Sequence, residues 1–92
     1  MFRITSGKGF HITFDNGYTV SVQFGPGNYC QHYDRDIRKD DEVCGEEGSA
    51  DAECAVIGKD KEFVEIEGWV DTVKGNMKPK DVLKLLIWAE KQ

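Results

Sequence analysis

GKGFHITFDNGYTVSVQF, residues 7–24, decides the fold. Phe10, Ile12 and Phe14 alternate with His11 and Thr13. After Asp15-Asn16-Gly17, Tyr18, Val20, Val22 and Phe24 alternate with Thr19, Ser21 and Gln23. Such alternation marks a strand with one buried face, because successive side chains leave a pleated strand on opposite sides. The turn then sets the register. A two-residue Asn16-Gly17 loop would place Phe14 against Thr19 and Thr13 against Val20, mixing apolar and polar groups on each face. A three-residue loop places Phe14 against Tyr18, Ile12 against Val20 and Phe10 against Val22, which keeps the faces separate. It also puts Gly17 in the left-handed region, as a type I turn closed by a bulge. The same rule carried towards the N-terminus pairs Ile4 with Phe10 and Phe2 with Ile12.

Working outward, strand character returns at Glu53–Ile57 and is followed by a turn at 58–61. Residues 63–69 alternate again, with Val64 and Ile66 on one side and Glu65 and Glu67 on the other, and are expected to form a strand. Asp71–Lys78 is expected to connect it to a helix. Pro79 suits the first helical position, where its missing N–H is not needed. Val82, Leu85, Leu86 and Ala89 then recur at i, i+3, i+4 and i+7, the spacing of one helical face, and Leu83, Ile87 and Trp88 widen it. The expected architecture is one α+β domain over residues 1–92. It is an antiparallel sheet of about five strands with one C-terminal helix (79–91) packed on one face. A long acidic loop (34–52) interrupts the strands.

The net charge of −5 is unevenly placed. Residues 34–54 carry nine acids and three bases, a local net of −6, so the remainder is nearly neutral. A chain without a basic face is not suited to gripping nucleic-acid backbone. No apolar run is long enough for a membrane span, and the sequence opens as a strand rather than as a signal peptide. The three cysteines are an odd number, which does not fit a disulfide scaffold. A cytoplasmic protein with reduced thiols is expected.

Five constellations could carry chemistry. The derived register aligns Arg3, His11 and Ser21 in one cross-strand row, a cation and hydrogen-bonding groups suited to an anion or a nucleotide phosphate. Its bland counterpart is an ordinary solvated sheet face. Cys30, His32, Cys44 and Cys54 offer zinc-ligand types, but the C-x-H-x11-C-x9-C spacing lacks the close cysteine pairs of zinc knuckles, so no metal is expected. Cys30 and His32 offer a thiolate–imidazole pair for a small hydrolase, without an orienting third group. The acids of the loop, Asp40, Asp41 and Glu42 among them, do not follow a calcium-loop pattern; they suit docking onto a basic protein groove or simple solvation. Finally, FGPGNYCQHY (24–33) ends the third strand sharply at Gly25-Pro26-Gly27 and then displays Asn28, Tyr29, His32 and Tyr33. Tyrosines on a constrained loop make good contact residues, because they offer large area at small entropic cost.

The runs GKGF (7–10), DNGYTVSVQ (15–23) and GPGNYC (25–30), with AECAVIGKDKEF (52–63) and DTVKG (71–75), resemble a set of short phage and prophage reading frames. The likeness covers most of the chain outside 31–49. It implies context and transfers no catalytic residue. Lys78 departs from the serine-like helix cap expected there. The context it implies is a non-enzymatic accessory protein without cofactor that binds and blocks a host component in counter-defence. Inhibition of a host protein, in the manner of anti-CRISPR proteins, is the favoured form. Sequestration of a nucleotide immune signal is the alternative, which would call for a homo-oligomer to enclose the ligand.

Overall fold

The computed structural model describes residues 1–5, 8–25, 28–31, 34 and 48–92. Five strands follow one another across an antiparallel sheet in the order of the chain: β1 (Phe2–Ile4), β2 (Gly9–Thr13), β3 (Thr19–Gln23), β4 (Ala52–Ile57) and β5 (Val73–Met77). Among the described residues one helix follows, α1 (Pro79–Glu90). The architecture is the expected α+β one.

The first three strands take the expected register. Phe2 faces Ile12, Ile4 faces Phe10, Phe10 faces Val22 and Ile12 faces Val20. The Phe14 amide donates to the Tyr18 carbonyl at 2.9 Å, and Gly17 sits at φ 88°, the left-handed residue that the three-residue loop needs. Val20 and Val22 continue across to Val56 and Cys54 on β4. These residues, with Ala52, Met77, Leu85 and Ala89, form one buried cluster between the sheet and α1.

The fifth strand is not the expected one. Residues 63–69 make only an isolated bridge, Phe63 to Ile57, and then turn away: Gly68 is left-handed, and the Trp69 amide donates to Ile66. Val64, Ile66 and Trp69 still pack on the core, so their alternation reports burial without strand pairing. The supposed connector supplies β5 instead. It pairs Ala55 with Val73 and Ala52 with Met77, and a bulge lies between. Asn76, at φ 54°, is the residue that accommodates the bulge.

The helix is held at both ends by side chains. At its start the Asp81 carboxylate accepts from the Lys78 amide at 3.2 Å, half of a capping box. Asp81 therefore supplies the cap that Lys78 lacks. At its end Asn16, in the β2–β3 turn, donates to the carbonyls of Ala89 (2.8 Å), Gln92 (3.0 Å) and Glu90 (3.2 Å). The Ala89 carbonyl also accepts from the Gln92 amide at 3.3 Å, so the turn residue that closes the hairpin (its side-chain oxygen accepts from the Tyr18 amide) also ties down the last turn of α1. Leu85 and Ala89 are buried, while Leu83 and Ile87 remain 57% and 46% exposed. The apolar stripe is thus wider than the face the sheet covers. No helix among the described residues is long and apolar enough to cross a membrane.

Candidate functional site

Arg3, His11, Ser21 and Tyr29 gather on the sheet face opposite α1, whereas Cys54 lies in the core on the helix side. Strand alternation puts Arg3, His11, Ser21, Ala55 and Val73 in one cross-strand row there. The row predicted from the hairpin register is therefore present and extends over five strands. It is not an ordinary solvated face. Ser21 is only 8% exposed, and its hydroxyl makes no hydrogen bond among the described residues. Burying a hydroxyl without a partner is unfavourable, so this group is left for water or a ligand. His11 is half-buried beside it, and Arg3 lies exposed on the edge strand. Neither makes an ion pair among the described residues. The flanking rows are closed: Thr13 and Thr19 hydroxyls bond each other at 2.8 Å, and the Gln23 amide bonds Thr5.

The other side of this face is built up by residues 28–31. Glu53 and Ala55 alternate onto it from β4, and Asp51 stands immediately before that strand. The Tyr29 amide donates to the Glu53 carboxylate at 2.7 Å, and the Tyr29 carbonyl accepts from the Asn76 amide at 2.8 Å. Gly75 makes the fit: a β carbon there would collide with that of Tyr29 and lie 2.9 Å from its carbonyl oxygen. The Gln31 amide donates to Asp51 at 2.6 Å, and the Gln31 side chain returns an acceptor to the Ala50 amide at 2.6 Å. Asn28 bonds the Phe24 carbonyl through its side chain at 2.8 Å, which anchors the turn.

The outcome is a tyrosine with a fixed backbone and a free ring. Tyr29 is 73% exposed. Asp51, counted in the sequence among nine solvated acids, is buried and gathers three elements: the Gln31 amide, the Asn76 side-chain amide at 3.3 Å and the Lys78 ammonium at 3.6 Å. Sequence reasoning missed this role. The available signal is that Asp51 and Glu53 stand two apart at the start of an apolar strand, which puts both on one face.

Comparison with protein-family models, with curated proteins and with solved structures finds no match.

The cysteines behave as packing groups in the part described. Cys30 and Cys54 are free thiols and both are buried. Burial, with the neighbouring Glu53 charge second, pushes the Cys54 thiol up to about 12. It is therefore a protonated core group rather than an activated nucleophile. Cys30, at 4% exposure, does not display its sulfur to a substrate. No group of three or more His, Cys, Asp or Glu among the described residues is placed to hold a metal ion. His32, Tyr33, Asp40, Asp41, Glu42 and Cys44 lie outside the described residues, and with them the zinc set, the thiolate–imidazole pair and most of the acidic loop.

Proposed function

We propose that this chain is a non-enzymatic binding protein that docks onto a host protein and blocks it, in the phage counter-defence setting that its sequence resemblance implies. The observation that supports this reading is Tyr29, an exposed aromatic ring on a backbone tied to Glu53 and Asn76 and seated over Gly75. An aromatic side chain ordered before binding loses little entropy on docking, and such residues dominate the energetics of protein interfaces. The acidic segment that follows supplies charge for steering onto a basic partner. Catalysis has less support, since the one candidate nucleophile described, Cys30, is buried. The test replaces Tyr29 with a photo-crosslinking phenylalanine derivative and irradiates the protein in host extract. The expected result is one dominant protein adduct, lost when Asp40, Asp41 and Glu42 are reversed to Lys. No protein adduct at Tyr29 would contradict the reading.

A second reading, capture of a nucleotide signal, is favoured by a separate observation. Ser21 presents a buried hydroxyl without a partner among the described residues, in register with Arg3 and His11. A phosphate there would accept from the hydroxyl and pair with the guanidinium. Native mass spectrometry after exposure to extract separates the two. A retained mass of a few hundred daltons, lost in Arg3→Ala and Ser21→Ala, supports the nucleotide reading.

A further inference from the structure

The face bearing α1 is only partly covered. Five strands about 4.8 Å apart make a sheet roughly 19 Å across, whereas one helix with its side chains is about 10 Å wide. On the β5 side the remaining width is filled by Ile66 and Trp69, which sit beside Leu85 and Trp88. On the β1 side nothing described fills it. Phe2 and Ile4 are 71% and 80% exposed, and an apolar groove of about 330 Å³ opens between Phe10 on the sheet and Leu83 and Leu86 on the helix. Among the described residues nothing occupies this width, and it is wide enough for a second helix.

We propose that a second copy of this chain supplies it, with the two α1 helices packed antiparallel about a two-fold axis over the β1 side of the two sheets. The helix carries the pattern that such an axis requires. Lys80, Leu83, Ile87 and Glu90 recur at i, i+3, i+7 and i+10, one exposed stripe with a cation at its start, two aliphatic residues in the middle and an anion at its end. Antiparallel pairing sets Leu83 against Ile87 of the other copy and Lys80 against Glu90, and two-fold symmetry makes each contact twice. Neither Lys80 nor Glu90 makes an ion pair among the described residues. The exposed parts of Phe2, Ile4, Leu83 and Ile87 with the groove floor amount to on the order of 600 Å² per copy, close to the ~800 Å² that each partner of a standard interface buries. This surface lies across the sheet from Tyr29, so assembly leaves the proposed docking face free and concerns a different part of the molecule.

Sedimentation equilibrium of the 92-residue chain tests the proposal, with far-UV circular dichroism to confirm that each variant is folded. The wild type is expected to be a dimer at 100 micromolar, a concentration of about 10⁻⁴ M that lies well above a micromolar dissociation constant. Leu83→Asp, which places a carboxylate in the aliphatic centre, is expected to weaken the dimer about 100-fold. Lys80→Glu and Glu90→Lys each set like charges opposite one another and are expected to weaken it about 10-fold. The double variant K80E/E90K restores the pairing in reversed sense and is expected to return within about twofold of the wild type. A monomeric wild type overturns the proposal, as does a dimer indifferent to Leu83→Asp. A double variant weaker than both single ones would also overturn the antiparallel arrangement.

Discussion

The two faces of the sheet are made from the same strands and do different work. The helix face is built from Val20, Val22, Val56, Cys54, Leu85 and Ala89, branched or compact side chains that bury one another and contain no polar partner to satisfy. The opposite face is built from Ser21, Ala55 and Gly75 in its floor, with Tyr29–Gln31 laid over it and fastened by two carboxylates. The first face stabilises the fold by removing apolar area from water. The second spends little on packing and much on position: each bond to residues 28–31 fixes where Tyr29 stands. The contrast teaches that stability and presentation are separable here, and substitutions should divide accordingly.

The largest effect belongs to the helix face. Leu85→Ala is expected to destabilise the protein by about 3 kcal/mol, the lost transfer free energy plus the cavity left behind. Denaturant unfolding measures it, and Tyr29-dependent binding, read on the folded fraction, is expected to be unchanged. Asp51→Ala is the matching change on the other face. It removes the acceptor for Gln31, Asn76 and Lys78 and is expected to cost about 2 kcal/mol. It differs in kind because it should also free residues 28–31, which amide exchange of Tyr29 and Gln31 would show. An Asp51→Ala protein with those amides still protected would break the comparison.

Cys54 gives the helix face a pH dependence. Its thiol titrates at about 12 in the folded protein, against 9.0 for an unperturbed thiol. The folded state therefore holds a proton that the unfolded state releases, and stability is full below pH 9 and falls as pH rises towards 12. At pH 10 the loss should be about 1.4 kcal/mol relative to pH 8, and it should be absent in Cys54→Ala, whose own lower stability sets the baseline. Urea titrations of both proteins at the two pH values measure the difference. The smallest expected effect is Asn16→Ala, about 1 kcal/mol for the lost cap on the last turn of α1. Thermal unfolding would register it, and local fraying of Ala89–Gln92 in amide exchange would locate it.

How much of this was legible in the sequence divides along physical lines. Residues 2–24 gave their strands, turn and register because period-two alternation and the left-handed glycine are local signals. The helix and its start at Pro79 were equally local. Residues 63–77 misled, because alternation reports which side chains are buried and not which backbone is paired. Val73–Met77 is a strand through contacts no local pattern records: Tyr29 seated over Gly75, and Asn76 bonded to Asp51. The Arg3–His11–Ser21 row followed from the register, yet the burial of Ser21 did not, since burial depends on what lies over the sheet. Asp51 and Glu53 looked like two more charges in an acidic stretch. Their partners, Gln31 and Tyr29, stand 20 and 24 residues away, a separation at which sequence alone gives no pairing.

The central claim is that the face opposite the helix holds Tyr29 still before any partner arrives. The direct measurement is the backbone ¹⁵N relaxation of Tyr29 and Gln31, compared with Val20 in the middle of the sheet. The account predicts order parameters for both of about 0.85, the level of rigid backbone, alongside Val20. Values for Tyr29 and Gln31 below about 0.6, with Val20 rigid, would mean that the tyrosine is not presented at all, and the docking surface would have to be sought elsewhere.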